Sequence, residues 1–338
     1  MPTEAPYDVI IFDISNRYHA AFSTSQSMTS RLPDGAEIVT GGIYTLLRGI
    51  QKICRERLSP RGHVYYLADA TVRASQSHQD EVPLSARKMI DPDYKANRAP
   101  HPNPSFYRGL ELAYVILGYL RDRSHIVRCD GYEADDLVPA VIERHPNERV
   151  LLVSNDEDWC RSLSSSVDVL KRSHKLKKDI VFSIDSFIEE NGYSPLGEGI
   201  LIYKAFRGDS DNIPKAVKGI LEVDLVRIIN ECKTLDGIKN RLSSLDWLSD
   251  AWKSHIMTAW PRIVLNHKLI DFMPIDVSTF SAGVFDCAFK PHALRAMYDS
   301  LGFNAQTLDP RVAGEEYARE SSAPDDGNFF IRRRIERA

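Results

Sequence analysis

Three short apolar runs, each leading into an aspartate, constrain this chain more than any other feature. Asp8-Val-Ile-Ile-Phe12 runs into Asp13, Val64-Tyr-Tyr-Leu67 into Asp69, and Arg149-Val-Leu-Leu-Val153 into Asp156. Apolar runs of this length, bounded by polar turns, read as buried strands. Between them the spacing predicts helices over 42–57, with Ile43, Leu46, Leu47, Ile50 and Ile53 on one face, then over 107–120 and 133–143. Strands that alternate with helices imply an α/β fold around a mostly parallel sheet. Ligands of such sheets bind at the carboxyl ends of the strands, where these aspartates stand.

Residues 70–105 break the rhythm. They are polar, carry Pro83, Pro92, Pro100, Pro102 and Pro104, and include Arg87, Lys88, Lys95 and Arg98. Connections this long are uncommon unless they are functional. From residue 201 to about 275 the pattern turns helical, and residues 311–338, with Ser-Ala-Pro-Asp-Asp-Gly and a basic end, read as a loosely ordered tail. The basic run Lys171–Lys178 reads as an exposed hairpin whose lysines protect a strand edge, with backbone contact to a polyanion as a second role. The five cysteines form no Cys-x-x-Cys pair and read as reduced thiols of a cytoplasmic protein. No run is long enough for a membrane span, and the start lacks the pattern of a signal peptide.

The acids are concentrated. Asp13, Asp69, Glu133, Asp135, Asp136, Asp156, Asp158, Asp209 and Asp211 all fall after expected strands, at helix starts or in one loop. The net charge is −4, yet these nine set aside, 38 acids remain against 43 Lys and Arg. A basic body with a concentrated acidic site suits a metal enzyme acting on a polyanion. Oxygen-only ligands favour Mg²⁺, with Mn²⁺ as a substitute, over zinc, and so many acids suggest two ions. Two ions can clamp both oxygens of a phosphodiester displacement. Taken singly, each acid has a plainer explanation as a turn residue, an N-cap or a partner of the helix dipole.

The chain resembles the metal-dependent 5′-nucleases, or flap endonucleases, which include free-standing phage enzymes and the 5′-nuclease domain of bacterial DNA polymerase I. The resemblance rests on Phe12-Asp-Ile-Ser-Asn16, Leu67-Ala-Asp69, Tyr94-Lys-Ala-Asn-Arg98, Tyr132-Glu-Ala-Asp-Asp136, Ser154-Asn-Asp-Glu-Asp158 and Gly208-Asp-Ser-Asp-Asn-Ile-Pro214, with 294–303 as a closing helix. It spans about residues 7–305. It implies a PIN-like core over 1–200 with a helical arch at 70–105, a helix–turn–helix duplex-binding region over 201–285, and a closing helix within 286–310. A free-standing chain of phage type, monomeric, is expected.

By that resemblance, Asp13, Asp69, Glu133, Asp135 and Asp156 would hold one Mg²⁺, Asp158, Asp209 and Asp211 a second, and Asp136 would act through water. Lys95 and Arg98 would stand on the arch beside the reacting phosphate, with Tyr94 either stacking a base or packing the arch. Lys215, Lys218 and Gly219 would meet the duplex backbone, with K⁺ at the loop Ile213–Ile220. The implied substrate is DNA with 5′ flaps, nicks or ends, or an RNA–DNA hybrid. Two departures stand out: only Ser210 separates Asp209 from Asp211, and Leu221 stands where glycine is common. The short spacing predicts that one of the two aspartates reaches an ion directly, Asp209 being the better candidate. An aspartyl phosphatase is excluded because Ser15 stands where a second aspartate is needed. A PIN-type ribonuclease and an inactive DNA-binding protein on the same fold are the other readings.

Overall fold

A computed structural model describes residues 6–32, 35–69, 85–97, 99–173, 178–210 and 212–314. In chain order come β1 (Tyr7–Asp13), α1 (Ile14–Thr24), β2 (Thr29–Arg31), β3 (Glu37–Val39), α2 (Gly41–Arg57), β4 (Leu58–Leu67), α3 (Ala86–Ile90) and α4 (Ser105–Leu120). Next are β5 (Ser124–Val127), α5 (Val138–Glu143), β6 (Val150–Val153), β7 (Val167–Ser173), β8 (Lys178–Phe182), α6 (Ile184–Asn191) and α7 (Gly199–Arg207). Then follow α8 (Glu222–Cys232), α9 (Leu235–Arg241), α10 (Asp250–Ile270), α11 (Val277–Ala282), β9 (Val284–Asp286), α12 (Pro291–Ser300) and α13 (Ala305–Leu308). Among the described residues no helix is long and apolar enough to cross a membrane.

The chain divides into two compact units. The first comprises residues 1–83, 101–154 and 276–338, and the second 84–100 and 155–275. In the first, the strands run in the order β6-β1-β4-β5-β9, parallel except for the last. Val9, Ile10, Ile11 and Phe12 of the central strand are fully buried, which is why they read as a continuous apolar run rather than an alternating one. The order reverses about β1: the chain moves outward to β4 and β5 and then returns to β6 on the other side. Helix α2 buries the five apolar residues its spacing predicted. All five cysteines are free and buried.

The second unit is mostly helical, with β7 and β8 as an antiparallel pair in which Leu170 faces Val181 and Arg172 faces Asp179. Residues 84–100, from the segment expected to form the arch, group with the helical region. Arg87 supplies the reason. It is only 2% exposed, and its guanidinium donates to the carbonyl oxygens of Leu269 (2.8 Å) and Asp271 (3.0 Å) at the end of α10. A buried cation at a helix C-terminus satisfies orphan carbonyls and complements the dipole. The expected tail lies outside the described residues from 315 onward, as do residues 70–84 of the arch and 174–177 of the basic run.

Candidate functional site

In the first unit the acids gather where the parallel strands end. Asp13 closes β1 in register with Leu67 of β4 and is 6% exposed. One of its oxygens caps α1 by accepting the Asn16 amide (3.0 Å), and the other accepts the Ser154 hydroxyl (2.8 Å). Asp69, two residues beyond β4, accepts the amide of Ala134 (2.9 Å), tying the strand end to the 133–136 turn. Within that turn Asp136 accepts the Glu133 amide (3.0 Å) and Asp135 accepts the Asp136 amide (3.0 Å). Asp135 and Asp136 form a 3-10 turn (Asp135–Leu137), and the α-helix expected from 133 begins only at Val138. Pro139 accounts for the late start: its missing N–H is harmless in the first helical turn but disruptive further in. Asp136 is 2% exposed and serves to close the turn.

Tyr114 of α4, which sequence reading passed over, stands among these acids. Burial pushes its phenol far above the usual range, and the fields of Asp69 and Asp13 push the same way. It stays a neutral hydroxyl beside these carboxyl groups. The donor set is all oxygen and suits a hard divalent cation. Among the described residues no three acidic, histidine or cysteine side chains form a ready cage. An ion such as Mg²⁺ needs none, because one or two carboxylates hold it while waters and substrate phosphates fill the remaining positions.

The second unit treats its acids differently. Asp156 caps the 3-10 turn Glu157–Ser162 by accepting the Asp158 amide (3.0 Å). Asp158 and Asp209 share one ammonium: Lys204 Nζ lies 2.8 Å from each. Burial pushes the Asp158 carboxyl up to about 6, with Lys204 pulling it back and Asp156 adding to the rise. Burial also opposes the charges of Asp209 and Lys204. Their mutual attraction outweighs it, holding the Asp209 carboxyl below its ordinary value and the Lys204 ammonium above its own. Lys204 was missed by sequence reading, although a signal existed: it is the one charged residue in the otherwise apolar stretch 199–206 of α7.

Asp209 sits in a tight turn. Gly208 has φ +75°, and a Cβ there would lie 2.4 Å from the Ile213 carbonyl oxygen, so glycine is required. Asp209 accepts the Ser210 amide (2.6 Å), and its own amide donates to Ile213 (2.9 Å). The expected partner, Asp211, lies outside the described residues. The same loop holds the arch turn: Asn212 donates to the Asp93 carbonyl (2.8 Å) and Asn97 to that of Ser210 (3.1 Å). Tyr94 is 4% exposed and packs with Leu201, Ile213, Leu269 and Ile270. Of the two expectations for Tyr94, base stacking and packing, its burial among these residues favours packing. Lys95, at φ +56°, holds its ammonium 5.1 Å from the Tyr94 ring centroid. Arg98 lies outside the described residues, whereas Lys215, Lys218 and Gly219 are exposed.

A mostly parallel sheet with carboxylates at its strand ends, joined by sequence to a helical unit, places the chain in the class of α/β proteins whose polar residues collect at the strand ends. Residues 8–192 match the 5′-3′ exonuclease N-terminal, resolvase-like domain, and the chain belongs to that family. Similar proteins include the 5′-3′ exonuclease of Bacillus subtilis, 34% identical over 164 residues, covering 47% of this chain and 52% of that protein. DNA polymerase I of Caldicellulosiruptor bescii is 27% identical over 242 residues, covering 70% of this chain and 26% of that protein. The chain thus spans about half or less of the length of these two relatives. In fold, the chain is similar to the T5 D15 protein co-crystallized with metal ions, at TM-score 0.58 and 18% identity, over 92% of this chain and 98% of that one.

Proposed function

We propose that this chain is a divalent-metal-dependent 5′-nuclease that hydrolyses DNA phosphodiesters at flaps, nicks and 5′ ends, with Mg²⁺ as the ion. What supports the reading is Asp13 at the carboxyl end of β1 and Asp69 just beyond β4, the latter bonded to the 133–136 turn that carries Glu133 and Asp135, in a chain of the 5′-3′ exonuclease family. The structurally similar T5 D15 flap endonuclease has been crystallised with DNA and metal ions, which supports the same substrate class here.

A bound divalent ion would supply positive charge to the phosphate and make an attacking water more acidic. The residues of the chain do the rest. Asp13 is oriented by Ser154 and Asn16, so its carboxylate is fixed before substrate arrives. Asp69 holds the 133–136 turn in place through Ala134, and thereby positions Glu133 and Asp135. The ammonium of Lys95 would offset charge developing on the phosphate. Exposed Lys215 and Lys218 would hold the duplex backbone without reading bases, with or without K⁺ at their loop. A second ion at Asp158 and Asp209 would have to replace the Lys204 ammonium already between them.

The test is cleavage of 5′-labelled flap, nicked-duplex and RNA-primer substrates with Mg²⁺ and with chelator. Mg²⁺-dependent release from flap or nicked DNA is expected. Cleavage confined to RNA would favour a PIN-type ribonuclease, and duplex binding without cleavage would mean an inactive DNA-binding protein.

A further inference from the structure

Among the described residues, four other than glycine have positive φ. Two of them, Lys95 (+56°) in the arch turn and Asn212 (+64°) in the loop that carries Asp209, lie in segments of the second unit that are bonded to each other. Asparagine adopts this region readily, whereas a lysine is held there at a cost. Lys95 is the third residue of the turn Asp93–Ala96, which is closed by the Ala96 amide donating to the Asp93 carbonyl oxygen (3.0 Å). A third turn residue at positive φ is normally glycine or asparagine. Backbone in such a conformation persists where its surroundings enforce it, and it collects at functional sites.

Here the surroundings are two crossed amides. Asn212 Nδ2 donates to that same Asp93 carbonyl oxygen (2.8 Å), and in the reverse direction Asn97 Nδ2 donates to the Ser210 carbonyl oxygen (3.1 Å). One bond grips the turn at its first residue and the other one residue past its end, so the pair fixes both the place of the turn and its rotation. The loop side is itself constrained: the Asp209 amide donates to the Ile213 carbonyl oxygen (2.9 Å), and Gly208 has no room for a side chain. Beside the two bonds, the buried ring of Tyr94 packs with Ile213 of the loop. We propose that Asn97 and Asn212 are positioning residues that hold Lys95 in its strained turn and set its ammonium in register with the Asp209 loop before substrate arrives. The proposal rests on the nuclease reading above, in which Lys95 meets the reacting phosphate.

The residue type matters at 212. Glycine would adopt φ +64° without strain but has no side-chain donor. Aspartate would tolerate the backbone but turn an oxygen toward the Asp93 carbonyl oxygen. Asparagine supplies the conformation and the donor together. Both asparagines are exposed, so water competes for each bond and neither holds the turn strongly alone. Their reciprocity makes the contact a two-point one, which a single bond could not be.

Asn212→Gly therefore removes the donor while leaving the backbone relaxed, and Asn97→Ala removes the other bond. Each should lower the single-turnover rate of flap cleavage in Mg²⁺ about three- to tenfold, the range of one hydrogen bond, with duplex affinity within about twofold of native. The double variant should approach the rate of Lys95→Ala. Placed on Lys95→Ala, the same two substitutions should have no further effect on rate. Hydrogen exchange of the full chain without DNA gives a readout independent of catalysis. The Ala96 amide, whose acceptor is the Asp93 carbonyl oxygen, should exchange on the order of tenfold faster in the double variant, while the amides of α10 keep their rates. A native cleavage rate in the double variant, or a loss that persists undiminished on Lys95→Ala, would overturn the positioning role. If the native chain does not cleave DNA, the nuclease reading fails and exchange at Ala96 alone decides whether the asparagines hold the turn: an unchanged rate in the double variant overturns it.

Discussion

The two units hold their acids with different donors: backbone amides and a hydroxyl at the strand ends of the first, a shared ammonium at Asp158 and Asp209 of the second. In the first, the partners of Asp13, Asp69, Asp135 and Asp136 include amides and a hydroxyl, which orient the carboxylates. In the second, Asp158 and Asp209 share the ammonium of Lys204. Amide and hydroxyl donors fix where a carboxylate points, whereas an ammonium also offsets its charge. Counting acids along the sequence treats the two groups alike, and the difference is visible only in their partners.

The sharpest way to break this contrast is Asp13→Asn. It keeps the size and the helix cap but removes the charge of the carboxylate at the end of β1. Single-turnover cleavage should fall on the order of 10³-fold or more, about 4 kcal/mol, with duplex affinity nearly unchanged. Activity retained in Mg²⁺ would place the ion elsewhere. Next in size is Lys204→Met, which leaves Asp158 and Asp209 as buried like charges and should cost about 3 kcal/mol in urea melts. Added Mg²⁺ should recover part of that loss if the pair can exchange an ammonium for a metal ion. No recovery would confine metal binding to the first unit.

The sheet was legible because burial on both faces writes itself as an unbroken apolar run, as in Val9–Phe12, and because α2 repeats its apolar residues at helical spacing. The acids were legible for the same reason: they stand where strands end. What stayed hidden depends on chain segments remote in sequence. In sequence Arg87 is only one of several basic residues in the long 70–105 connection, and its carbonyl partners at the end of α10 lie more than 180 residues on. Lys204 precedes Asp209 by five residues, but its second partner, Asp158, is 46 residues away, and no local spacing encodes that bridge. The 3-10 turn at Asp135 was masked by a local pattern that fits an ordinary helix start equally well.

Lys95→Ala sharpens the comparison from the arch. If the ammonium acts on the transition state, the single-turnover rate should fall on the order of 10²-fold, near 3 kcal/mol, with modest change in affinity. A pure loss of affinity would make Lys95 a binding residue.

The smallest expected effect separates packing from stacking at Tyr94. Tyr94→Leu keeps apolar bulk beside Leu201, Ile213, Leu269 and Ile270 but removes the aromatic face. A stacked base would be worth about 1–3 kcal/mol, so a stacking role predicts a loss of roughly five- to 150-fold in affinity for single-stranded flaps. The buried ring predicts almost no loss. It does touch the chemistry indirectly, since Lys95 Nζ lies 5.1 Å from its centroid. A cation–π contact at such a site is worth about 0.5–1 kcal/mol, and without it the ammonium samples more positions. The turnover rate of the leucine variant should therefore fall by about two- to fivefold while flap affinity holds. The same substitution placed on Lys95→Ala should then have no further effect on rate, because the group it positions is gone. A loss of rate that persists in the double variant would mean that Tyr94 shapes the arch as a whole and does not act through Lys95.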